Sequence, residues 1–200
     1  MNKIFNGVSV VLHPVFAATF GLLLIMSQIM PGLSTSQVML TLYCLGYTVV
    51  MPLVFVLLAR MLGFISDLKM KQRRERVFAL TVTAACVLAF SHVLGGWHAP
   101  EMMRIFVLAT AVTLVEATIM AIFTRVSLHT IGWGGLSALV SYLTFVNPNL
   151  SLLLALTVLI SGLVATARLI LNEHTPSQVY LGFIIGYATI WIIFIISSLW

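Results

Sequence analysis

Ala167-Arg168-Leu169-Ile170-Leu171-Asn172-Glu173-His174-Thr175-Pro176-Ser177-Gln178 stands between two apolar runs, Leu150–Ala167 and Val179–Trp200. Each run is close to the roughly 20 residues that a helix needs to cross a bilayer. The break between them holds an arginine, a glutamate and a histidine. Polar groups in such surroundings are costly and usually have a partner or a job. Thr175, Pro176 and Gln178 read as N-cap, N1 and N3 of a capping box, so a new helix is predicted to start at Pro176. Span, polar break and capped span is the pattern to look for elsewhere.

It recurs along the chain. Apolar segments run over Val8–Met30, Val38–Ala59, Val77–Leu94, Ile105–Phe123, Ile131–Val146, Leu150–Ala167 and Val179–Trp200. Pro31-Gly32, Gly95-Gly96-Trp97-His98-Ala99-Pro100 and Asn147-Pro148-Asn149 mark breaks between them. Pro52 is expected to kink the second span. Ile131–Val146 is the shortest, and its neighbouring Gly132, Gly134 and Gly135 suit close helix packing. The expectation is an all-α, polytopic transmembrane bundle: seven spans by direct count, or six with one partial insertion. Residues 1–200 are read as one membrane domain. The first run is too long for the apolar region of a cleavable signal peptide.

Composition agrees. Of the 200 residues, 61% are hydrophobic and 8% charged, against about a quarter charged in soluble domains. The net charge of +5 comes from too few basic residues, set between apolar runs, for a nucleic-acid surface. It fits membrane topology and anionic lipid or phosphate. Cys44 and Cys86 lie inside apolar runs and form neither a metal spacing nor a disulfide framework.

With seven spans, the N-terminus, the loop Arg60–Arg76, the link near Arg125 and the stretch at Arg168 share one side. Lys3, Arg60, Lys69, Lys71, Arg73, Arg74, Arg76, Arg125 and Arg168 gather there, against Arg104 alone opposite. The positive-inside rule puts the basic side in the cytoplasm of a cell membrane, such as a bacterial inner membrane. The same side collects His129, which follows Arg125-Val126-Ser127-Leu128, and His174. Arginine forks and lysine point charges suit phosphate. An imidazole can attack phosphorus or protonate a leaving oxygen. These residues describe phosphoryl transfer without a metal or cofactor, because few carboxylates face this side to hold magnesium. His92, His98 and Glu101 straddle a helix end on the other side and are read as structural, and His13 as structural or interfacial.

In order and spacing these residues resemble the type-2 phosphatidic acid phosphatase (PAP2) superfamily, with its motifs K-x6-RP, PSGH and SR-x5-H-x3-D. Lys69 and Arg76 match the first, Ser127 and His129 the second, and Arg168 and His174 the third. Val77 stands for the first motif's proline, Val126 and Leu128 for the second's proline and glycine, Ala167 for serine and Gln178 for the aspartate. The resemblance implies a PAP2-like helical core and a membrane lipid-phosphate phosphatase. His174 would be the nucleophile, forming a phosphohistidine, and His129 the general acid. Lys69, Arg76, Ser127 and Arg168 would hold phosphate oxygens. Gln178 would take the place of the residue that orients the nucleophile, with Glu173 or Glu116 as substitute carboxylates. The partners implied are a phosphorylated lipid and the bilayer. The alternatives are a protein that binds or moves phosphorylated lipids without turnover, or a lipid phosphotransferase.

Overall fold

Stripped of water, a spanning chain must satisfy its backbone within each segment, and a helix does so. The computed structural model describes residues 2–29, 35–67, 70, 72–97 and 99–199, and every regular element among them is helical. Nine α-helices follow in order among these residues: α1 Asn2–Val11, α2 Ala17–Ile29, α3 Thr35–Leu45, α4 Met51–Met61, α5 Arg73–Gly96, α6 Glu101–Phe123, α7 Leu128–Val146, α8 Ser151–Ile170 and α9 Pro176–Ser197. Among the described residues, six stretches are long and apolar enough to cross a bilayer: Lys3–Ile29, Thr35–Met61, Arg73–Gly96, Glu101–Phe123, Pro148–Ile170 and Pro176–Ser197. The protein is therefore a multi-pass helical membrane protein.

The expected fifth span behaves differently. Eleven of the 19 residues of α7 are buried. A helix enclosed by other helices can carry serine, threonine and glycine at membrane depth, because its neighbours satisfy them. So α7 can carry its serines, threonines and glycines because protein, rather than lipid, surrounds it.

The chain divides into two compact units. One comprises residues 1–18 and 124–200, the other residues 19–123. In the first, α7 and α9 pack at very short range. A Cβ on Gly134 would run into the backbone carbonyl of Phe183, and one on Gly186 into the carbonyl of Ile131. Absent side chains at these two points let the backbones touch, as in small-residue membrane interfaces. A polar seam runs along α7 at intervals of four residues: His129, Trp133, Ser137 and Ser141. Trp133 Nε1 donates to Leu12 O (3.0 Å), Ser137 Oγ meets Ser161 Oγ (2.9 Å), and Tyr187 donates to Ser141 Oγ (3.2 Å). Four-residue spacing keeps these groups on one helical face. Leu152, Leu159 and Ile184 point outward, as a hydrocarbon surround allows.

In the second unit, α5 packs along α6, and the span over α3 and α4 runs through a π-helical turn at Gly46–Val50. Pro52 follows directly. Proline lacks an N–H and crowds the carbonyl four residues back, and a widened turn absorbs that defect. The expected kink is thus a π turn. Thr48 Oγ1 lies there, donating to Cys44 O (2.7 Å) and meeting Thr19 Oγ1 (2.9 Å). Below this span, the Glu75 carboxylate accepts the N–H and hydroxyl of Ser66 at 2.7 and 2.6 Å.

Candidate active site

The spacing between Arg168 and His174 has a local physical cause. Helix α8 ends in a Schellman motif: Asn172 takes φ 52°, its N–H donates to Leu169 O (3.0 Å), and Glu173 N–H donates to Arg168 O (3.2 Å). Asparagine is one of the few residues that adopts this left-handed cap cheaply. Thr175 is then the extended N-cap of α9 and Pro176 its first residue. His174 is fixed between a C-cap and an N-cap, so its distance along the chain from Arg168 is set by two standard helix ends.

The His174 ring is held by its Nδ1. That nitrogen lies 3.0 Å from Arg125 O and 3.2 Å from Gln178 Oε1. The Arg125 carbonyl can only accept, so Nδ1 carries the proton and donates. Gln178 Oε1 also accepts the Thr175 N–H (3.1 Å). A backbone N–H can only donate, which identifies the amide oxygen, rather than its nitrogen, at this point. Gln178 therefore caps α9 and orients His174 with the same oxygen. The tautomer leaves Nε2 with its lone pair. Burial and the Arg168 guanidinium hold the imidazole below its ordinary value of 6.5, opposed by the bonds to Gln178 and Arg125 and by Glu173.

Arg168 sits in the last turn of α8 with its side chain 13% exposed. Its Nη1 donates to Ser9 Oγ (2.8 Å), and Nη2 lies 3.9 Å from Glu173 Oε2. Its Nε–H is buried and has no acceptor among the described residues. Glu173, half-exposed at 48%, is thus a partner of Arg168 and makes no hydrogen bond to His174 among the described residues.

His129 opens α7. Its Nε2 is 3.0 Å from Ser9 O and 3.1 Å from Ser9 Oγ. The His13 ring meets it edge-on, with centroids 5.2 Å apart. His13 itself accepts the Val15 N–H at Nδ1 (3.3 Å), capping the turn that Pro14 begins.

Of the residues singled out in the sequence, Arg168, His129, His174, Gln178 and Ser127 lie in the same unit. Ser127 differs from expectation. It is 0% exposed, and its hydroxyl caps α7 by accepting Thr130 N–H. Its own N–H donates to Gln178 O (3.4 Å). That closed position ties the second motif to the third and gives a ligand no access to the hydroxyl. Arg76 is half-buried in α5 and Glu116 half-buried in α6, both in the other unit, and Lys69 lies outside the described residues. Sequence reading missed Ser9 and the Arg125 carbonyl. A serine in an apolar run was the only signal for Ser9, and a backbone acceptor has no signal at all. No group of three or more metal-ligating side chains occurs among the described residues.

Helices and polar cluster together define a multi-pass membrane protein with an arginine–histidine site at one end of its second-motif helix. Residues 117–199 match the sequence model of the PAP2 superfamily. That stretch contains Ser127, His129, Arg168 and His174, so the PAP2 resemblance is shown for the part of the chain that carries the second and third motifs, and a phosphatase-type hydrolase is the activity it supports. No curated protein and no solved structure matches the chain.

Proposed function

We propose that the protein hydrolyses a phosphate monoester or diphosphate on a membrane lipid, through a phosphohistidine on His174. The observation that carries this reading is the tautomer of His174. With Nδ1–H given to Arg125 O and Gln178 Oε1, Nε2 keeps the lone pair an attack on phosphorus requires. Burial favours the neutral ring, which is the nucleophilic form.

In the first step His174 Nε2 forms a bond to phosphorus as the bond to the lipid oxygen breaks, and His129 gives that oxygen its proton. In the second, water attacks the phosphohistidine, its proton passes to His129, and the P–N bond breaks to release inorganic phosphate. Arg168 would hold the phosphate oxygens, and its unpaired Nε–H is a buried donor that such an oxygen would satisfy. Helix α9 begins two residues after His174, so the positive end of its dipole favours an anion there. Lys69 and Arg76 remain proposed phosphate ligands from the first motif, and no metal or cofactor takes part. By the positive-inside rule the site faces the cytoplasm, where a phosphatidic acid or phosphatidylglycerol phosphate headgroup would fit; on the opposite orientation, a polyprenyl diphosphate would.

A second reading is a protein that binds phosphorylated lipids without turnover. It is favoured by Gln178, which orients His174 without the negative charge that would support the ring as it becomes cationic. Phosphate release from a panel of lipid phosphates by purified wild type and His174→Ala decides between them. Release by wild type and none by the variant is the expected result. Equal release by both sinks the phosphohistidine, and binding with no release on every lipid favours the second reading. Mass analysis of the products separates hydrolysis from transfer to a lipid acceptor.

A further inference from the structure

Ser9 is 8% exposed and belongs to α1, more than a hundred residues from the second and third motifs, yet it touches a side chain of each. Its hydroxyl accepts Arg168 Nη1 at 2.8 Å, and its carbonyl lies 3.0 Å from His129 Nε2. The carbonyl is available for a reason written in the sequence. Pro14 stops α1, so the last carbonyls of that helix lack intrahelical donors. Two of them are met by α7 instead: Ser9 O by His129 Nε2 and Leu12 O by Trp133 Nε1. His129 and Trp133 are four apart on one face of α7, so the broken end of α1 docks on that face in a single register.

We propose that Ser9 is a positioning residue for the phosphate site, so that α1 is part of the reaction machinery. This rests on the reading of Arg168 and His129 given above. The hydroxyl fixes one arm of the Arg168 guanidinium. That leaves the fork with fewer orientations to lose when it meets phosphate, a form of preorganisation. The carbonyl, which only accepts, fixes the proton of His129 on Nε2. Nδ1, without a hydrogen-bond partner among the described residues, is then the nitrogen that exchanges a proton with the leaving oxygen.

Ser9→Ala removes the hydroxyl and keeps the carbonyl, and Ser9→Thr keeps both. The test measures two quantities on full-length protein in detergent. One is KM and kcat on a lipid phosphate. The other is the affinity for inorganic phosphate, which needs no turnover. A thermal melt shows that each variant is folded. In Ser9→Ala we expect KM and the phosphate dissociation constant to rise together by about tenfold, with a smaller change in kcat, and Ser9→Thr to restore both. A merely structural serine would move the melting temperature without this split. Ser9→Ala indistinguishable from wild type in both quantities overturns the proposal. So does tighter phosphate binding or faster turnover, which would make Ser9 a competitor for Arg168. If phosphate affinity depends on Ser9 but no lipid phosphate is hydrolysed, positioning stands and the hydrolase reading falls. If wild type turns over and Ser9→Ala is unchanged, the reverse holds.

Discussion

Two histidines in one unit are held in opposite ways. His174 is placed by its own neighbourhood, with a Schellman motif before it, an N-cap after it and Gln178 four residues on, and one distant acceptor, Arg125 O, completes its hold. His129 is fixed from afar, by the end of α1 at Ser9. In each case an acceptor claims one ring nitrogen, Nδ1 of His174 and Nε2 of His129, and the other has no hydrogen-bond partner among the described residues. The difference teaches that one site can combine a locally encoded nucleophile with a proton carrier whose state depends on tertiary docking. Disturbing short-range sequence should therefore damage His174, and disturbing packing should damage His129.

The largest test of that contrast exchanges the leaving group. His174→Ala should lose at least about 10³-fold in kcat/KM on both a lipid phosphate and an aryl phosphate with an acidic phenol, because the nucleophile is needed for each. His129→Ala should lose about 10²–10⁴-fold on the lipid phosphate and much less on the aryl phosphate, whose leaving oxygen needs no proton. Equal losses for His129→Ala on the two substrates would remove its role as acid.

Next comes packing. Gly186→Ala forces a methyl against the Ile131 carbonyl near the start of α7 and should destabilise the protein by about 1–3 kcal/mol. A thermal melt in detergent checks this, and an unchanged melting temperature would refute the close α7–α9 approach.

A smaller effect is expected from the local side. Gln178→Leu removes the acceptor shared by His174 and the α9 cap and should lower kcat/KM by about 10–100-fold. Rescue by Gln178→Glu would show that the acceptor matters. The carboxylate should also favour charged His174 and move the acid limb of the pH–rate profile upward.

Smallest is the pH effect in wild type. Burial and Arg168 lower the His174 pKa, so the neutral ring persists to more acid pH. The acid limb of kcat/KM should then fall below pH 6.5, and Arg168→Gln, by removing a nearby cation, should raise it. An acid limb above 6.5 in wild type would contradict the role given to His174.

Much of this was legible in the chain. The apolar runs gave the helices and most breaks, because apolar length and turn chemistry are local properties. The third motif was legible too, since Arg168 and His174 are separated by two helix caps that short-range residues encode. Gln178 was read as either cap or histidine partner, and one oxygen does both. The fifth run, Ile131–Val146, was ambiguous because its polarity reflects enclosure by protein, which no local pattern records. Ser127 carries the motif's letter but is spent on capping α7.

What the sequence by itself determined is the class of protein and the His174 corner, for hydrophobic length, caps and turn residues act over a few positions. What only the tertiary structure decided is the Arg125 carbonyl at His174 and the whole of the His129 corner. Ser9, Arg168 and His129 meet because Pro14 leaves α1 with unmet carbonyls and α7 presents donors four residues apart. That match of unsatisfied acceptors to distant donors becomes visible only when the helices are packed.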